Sequence, residues 1–96
     1  MSGTQTVLTQ QLENLFRETG SAHHKAFIAT KGDDAEWPAW YADYLFDKLR
    51  SIFSSPFTKS ELVYLFVKTE KERQKYSPGS DWPSFYSRAF IEELGA

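Results

Sequence analysis

A chain of 96 residues with a net charge of −2 and no cysteine has the length of one domain and can hold neither a disulfide nor a thiolate metal site. The acidic balance argues against a nucleic-acid binder that works by neutralising phosphates. No apolar run approaches membrane length, and the N-terminal MSGTQT lacks a charged-then-apolar signal pattern, so a cytoplasmic protein without membrane attachment is expected.

Aromatic residues make up 17% of the chain. That is more than a helical domain this small easily buries, so some rings are expected at the surface.

The first periodic segment is Leu8–Thr30. Leu8, Leu12, Leu15, Phe16, Thr19, Ala22, His23, Ala26 and Phe27 share one face at helical spacing. Thr4, Thr6 or Thr9 would cap it. Gly20 sits inside the pattern at a cost of about 1 kcal/mol against alanine, which marks either a close helix approach or a weak point. Lys31 and Gly32 form a C-terminal signature.

The second segment is the richest. Gly32, Asp33 and Asp34 suit a turn, and Glu36 adds a negative charge where free amides begin a helix. Pro38 fits only a first turn. Trp37, Trp40, Tyr41, Tyr44, Leu45, Leu49, Ile52 and Phe53 then form a broad apolar face, with Phe46 off it. This helix is expected from about 34–37 to the break at 54–56.

Thr58 and Glu61 next form a capping-box pair, with Phe57 and Leu62 placed as a hydrophobic staple. The third helix should run to about Tyr76. Its first half, Leu62–Val67, is apolar nearly all round and β-branched enough to suit a short strand as well. Its second half, Lys68–Lys75, mixes signs and reads as a solvated face with pairs such as Lys68 with Glu72 and Glu72 with Lys75. After the turn at 77–79, Ser80 or Asp81 caps a fourth helix carrying Trp82, Phe85, Tyr86, Ala89, Phe90 and Leu94, which Gly95 ends.

The two halves match. Leu12, Leu15, Phe16 and Thr19 correspond to Leu62, Leu65, Phe66 and Thr69 at an offset of 50, and WPAWY at 37–41 corresponds to WPSFY at 82–86 at an offset of 45. The expectation is an all-α, four-helix array built from two duplicated αα-hairpins, about 8–53 and 57–94, related by a pseudo-two-fold axis. Neither hairpin could bury its aromatic face alone.

A histidine-bearing helix followed by GDDAEWPAWYADYL also resembles a group of small bacterial all-helical proteins built on a D-x-E-W-P-x-W-Y-A-x-Y motif. The likeness covers most of Ala22–Leu45 and touches the second half only through its W-P-x-F-Y copy. What it implies is a helical fold; no activity, cofactor or substrate comes with it.

Several residues could carry chemistry. His23 lies on the apolar face and suits a general base or a ligand contact; such a histidine is more commonly a core residue bonded to a neighbour. His24 should be exposed. Neither histidine has an i, i+4 partner for a metal, so no metal or cofactor is expected; the residual route to a cation is Asp33, Asp34 or Glu36. Those carboxylates also suit capping and turn formation.

There is no Gly-rich phosphate loop, no G-x-S-x-G and no cysteine nucleophile. Trp37, Trp40, Tyr41 and their second-half partners would either fill the core or line a ligand cleft at the pseudo-axis.

Two readings follow. One is a non-enzymatic helical interaction or regulatory module that self-associates, as a homodimer, through Val63, Tyr64 and Val67. In the first half those positions are Glu13, Asn14 and Arg17. The other is a small-molecule-binding or catalytic protein in which His23, Asp34 and Tyr41 face an aromatic pocket with Trp37 and Trp40.

Overall fold

The computed structural model describes residues 3–54 and 56–95. Four α-helices account for most of them: α1 (Gly3–Ala26), α2 (Trp37–Ile52), α3 (Lys59–Tyr76) and α4 (Trp82–Leu94), with one 3₁₀ turn at Ile28–Thr30. Among the described residues there is no strand, so Leu62–Val67 is helical despite its β-branched character. Among the described residues no helix is long and apolar enough to cross a membrane.

The element boundaries follow local chemistry. At the start of α3, the Thr58 hydroxyl accepts from the Glu61 amide at 3.1 Å while the Glu61 carboxylate accepts from the Thr58 amide at 2.8 Å. This closes the expected capping box, and Phe57 and Leu62 are both buried beside it. Helix α4 begins at the second W-P pair, with Asp81 at the N-cap, and ends at Gly95 in a left-handed conformation.

Helix α1 departs from expectation at both ends. It is already helical at Gly3, so Thr9 is an interior residue and not a cap; the side chains of Thr4 and Thr6 lie outside the described residues. It stops at Ala26 rather than Thr30. Lys31 (φ 60°) and Gly32 (φ 89°) both turn left-handed, and the Gly32 amide reaches back to the Phe27 carbonyl at 2.8 Å. That reversal brings Asp34 back towards α1.

Packing is crosswise. α1 lies chiefly against α4 and α2 against α3, while the contacts within each hairpin are fewer. The core is made of residues that recur every three or four positions: Leu12 and Phe16 from α1, Leu45 and Leu49 from α2, Leu62 and Phe66 from α3, Tyr86 and Phe90 from α4, all buried.

Phe16 and Phe66 meet edge to face, 6.4 Å apart at 85°, at the centre. Trp82 and Tyr86 pack on Phe16, each at 6.0 Å, while Trp37 and Tyr41 pack on Phe66 at 6.2 and 5.6 Å. Trp37 and Trp82 therefore each anchor on the other hairpin's phenylalanine. Aromatic pairs of this geometry contribute about 0.5–1.5 kcal/mol each beyond the area they bury.

Trp37 and Trp82 are half-buried, less enclosed than a core position would make them. One flank of each remains open, and the site is built there.

Candidate functional site

The open flanks of Trp37 and Trp82 border a solvent-connected cleft of about 400 Å³ at one end of the helix array. Its walls come from both halves. The first half contributes His23, Asp33, Asp34 and Tyr41, and the second contributes Glu70, Arg73 and Tyr86.

The first wall depends on the α1–α2 turn. His23 projects from the last turns of α1 and is only 7% exposed. Its imidazole Nε2–H donates to Asp34 Oδ2 at 3.0 Å, a bond with both side chains about nine-tenths buried. The other Asp34 oxygen accepts from the Glu36 amide at 3.0 Å, which ties the turn to the start of α2.

One carboxylate thus does the turn-forming work expected of the acidic run and also orients the histidine. Behind the imidazole stand Phe27 at 4.8 Å, Trp40 at 4.9 Å and Tyr41 at 5.1 Å.

The second wall is organised by Glu70. Arg73 donates to it through Nε and Nη2, at 3.1 and 2.9 Å; Gln74 donates at 2.8 Å and the Tyr86 hydroxyl at 2.7 Å. Burial alone would raise the Glu70 pKa, but these donors and the Arg73 charge outweigh it and hold the carboxyl below its ordinary value. Tyr86 moves the opposite way: burial and the Glu70 carboxylate keep its phenol protonated far beyond the usual range.

The two tyrosines differ in one respect. Tyr86 finds Glu70, whereas the position matching Glu70 in the first half, at the offset of 50, is Gly20. With no side chain there, the edge of Trp82 fills the space, and the Tyr41 hydroxyl lies 3.7 Å from where a Gly20 Cβ would be. Among the described residues that hydroxyl has no hydrogen-bond partner. Burial raises the Tyr41 pKa, so it stays a phenol at neutral pH.

The structure brings together three residues that the sequence marks for a pocket, His23, Asp34 and Tyr41, and it places Trp37 beside them. Trp40 is not in the cleft. It sits on the flank of α2, about 100° round from Tyr41, stacked on Tyr44 at 5.2 Å behind His23. Glu36 is exposed at the N-cap and also lies outside it. Among the described residues no three His, Asp or Glu side chains cluster so as to hold a metal ion.

Glu70 and Arg73 were hidden in the charge run of α3. The pairs formed there are Glu70 with Arg73, and Lys68 with Glu93 of α4 at 3.2 Å; neither expected pair, Lys68 with Glu72 or Glu72 with Lys75, forms. One signal pointed to the cleft: Arg73 is the offset-50 partner of His23.

The candidate interface residues part company. Tyr64 is 66% exposed, Val63 is partly buried against the core, and Val67 lies in a shallow recess beside Trp37 and Pro38. Phe46 is turned edge-on to Phe57 at 5.7 Å and is no part of an open patch. No family model, curated protein or solved structure matches this chain.

Proposed function

We propose that this protein binds a small molecule in the cleft between its hairpins. The observation that carries the proposal is the meeting of His23, Asp34 and Tyr41 with Trp37, Trp82 and the Glu70–Arg73 pair around one open volume of about 400 Å³. That size lies within the ordinary range for ligand sites, which combine apolar walls with a few convergent polar groups.

Binding fits the geometry better than turnover. The Nε2 of His23 is committed to Asp34, and Tyr41 remains a phenol rather than a nucleophilic phenolate. The Tyr86 hydroxyl does meet a carboxylate, Glu70, but that carboxylate is shared with Arg73 and Gln74 and the phenol is held protonated, so the pair does not supply an activated nucleophile.

The experiment is a screen of aromatic fragments by ¹H–¹⁵N correlation spectroscopy. Hits should move the amides of residues 32–34, Arg73 and Trp82 together, because those residues border the cleft and not the shallow recess beside Val67. A screen in which every hit moves only the outer face of α3, or in which nothing binds, would sink the proposal.

The reading of the halves as copies of one ancestral hairpin is supported by the crosswise tryptophan–phenylalanine anchors and by the buried pairs Leu12 with Leu62 and Phe16 with Phe66. A second functional reading, self-association through α3, is favoured by the exposure of Tyr64 where the first half carries Asn14. Light scattering at high micromolar concentration tests it. A mass of twice 11.1 kDa that falls to the monomer value in Tyr64→Glu supports an interface there, and a wild-type monomer removes it.

A further inference from the structure

We infer that the ligand of the cleft is a small organic cation, one carrying an ammonium group on an apolar or aromatic body. The inference rests on the ligand-binding reading above and takes it further by way of charge.

Three carboxylates border the cleft, those of Asp33, Asp34 and Glu70, against the single guanidinium of Arg73. The lining is therefore net negative whether His23 is protonated or not. An anion entering it meets repulsion in a partly enclosed space, where screening is weaker than in bulk water.

The positive groups are also already occupied. Arg73 is held by both oxygens of Glu70, and its remaining Nη1 approaches the Pro78 carbonyl at 3.4 Å. His23 is nearly buried and bonded to Asp34. Neither is placed to greet an incoming carboxylate or phosphate.

The negative side has a vacancy to offer. Asp33 is exposed at the cleft wall, and among the described residues its carboxylate has no partner; only its backbone is engaged, the amide with the Thr30 carbonyl and the carbonyl with the Thr30 hydroxyl. The Tyr41 hydroxyl is likewise unpartnered and can accept as well as donate. An ammonium group supplies N–H donors to both.

The remaining walls suit the same guest. Trp37 stands at 88° to Tyr41 with centroids 5.6 Å apart, Trp82 at 75° and 6.2 Å from that same ring, and Tyr86 at 89° and 5.5 Å from Trp82. These are electron-rich rings in differing orientations around one space, and indole and phenol faces attract cations.

The test is a titration with three probes of one shape and different charge: benzylammonium, benzyl alcohol and benzoate, followed by amide shifts and by the fluorescence of Trp37 and Trp82. Benzylammonium should shift residues 32–34, Arg73 and Trp82 saturably and bind more tightly than the other two. Asp33→Asn, at an exposed position without a side-chain partner, should weaken it about tenfold, the size of one charge-assisted hydrogen bond. Tyr41→Phe, which keeps the ring, should weaken it by a smaller factor.

Equal or tighter binding of benzoate or benzyl alcohol at the same amides overturns the cation assignment and leaves the cleft a ligand site. Unchanged benzylammonium affinity in Asp33→Asn overturns it as well. Silence from all three probes overturns the assignment, and if the fragment screen is blank too, the ligand site falls with it.

Discussion

The edge of Trp82 occupies the space that a side chain at Gly20 would need: a Cβ built on Gly20 stands 2.9 Å from Trp82 Cζ2. The glycine in the middle of α1 is therefore a docking notch for a ring from α4. The close approach was one of two readings open to the sequence, and the notch also explains why Tyr41 lacks the carboxylate that its counterpart Tyr86 has.

Gly20→Ala should accordingly destabilise the fold. Helix propensity favours alanine by about 1 kcal/mol, but the clash is with a rigid ring, and overpacking of this kind costs about 1–3 kcal/mol. The thermal midpoint should fall, and Trp82 fluorescence should report a more open environment. A midpoint that rises would show that Trp82 is free to move aside.

Ser87→Ala should stabilise. Ser87 is fully buried and its hydroxyl finds no partner among the described residues, while the matching residue in the first half is Ala42, also buried. Removing an unsatisfied buried hydroxyl recovers about 1 kcal/mol or more, and alanine adds helix propensity. For a domain of this size the midpoint should rise by about 4–8 °C per kcal/mol. A fall would mean that the hydroxyl is satisfied in solution, for instance by a buried water.

Glu70→Gln should cost about 1–3 kcal/mol at neutral pH, because Arg73 and the Tyr86 hydroxyl lose a charged acceptor in a half-buried setting. The pH dependence has a definite sign. The folded pKa of Glu70 lies below the ordinary 4.5, so its stabilisation is fully present above that value and is lost as pH falls through the folded pKa. The gap in midpoint between wild type and Glu70→Gln should narrow in acid. A gap that is constant from neutrality into acid would contradict the ion-pair account.

The alkaline limb follows from Tyr86, whose pKa is raised above 10.0. Its contribution is complete below the unfolded value and declines as pH climbs towards the folded one. Wild-type stability should therefore drop from about pH 10 upwards. Tyr86→Phe should flatten that decline and at neutral pH lose only the bond to Glu70. A decline of the same steepness in Tyr86→Phe would assign it to other groups.

What could be read from the sequence was whatever expressed itself locally or by repetition. Thr58 and Glu61 signal a helix start through chemistry confined to four residues, and the structure closes that box. Leu12, Phe16, Leu62 and Phe66 signal the core through their spacing and through the offset of 50.

The site was legible only in its first half, because His23 and Asp34 look unusual on an apolar face and in a turn. Glu70 and Arg73 do not look unusual. Charged residues on a helix are equally at home on an outer surface and on the wall of a wet cleft, and composition does not separate the two. The end of α1 was misplaced for a related reason: the apolar spacing continues through Phe27, but a left-handed Lys31 leaves no mark in the pattern of apolar residues.

The crosswise packing has a consequence for how the chain can be divided. A cut at the connection between α2 and α3 would release two hairpins, with Trp37 of one and Trp82 of the other each extended towards a phenylalanine no longer there. Neither piece holds a complete core, since Phe16 is covered by rings of α4 and Phe66 by rings of α2. The halves are thus complementary parts of one folding unit, and the cleft, with walls drawn from both, comes into being only on their reunion.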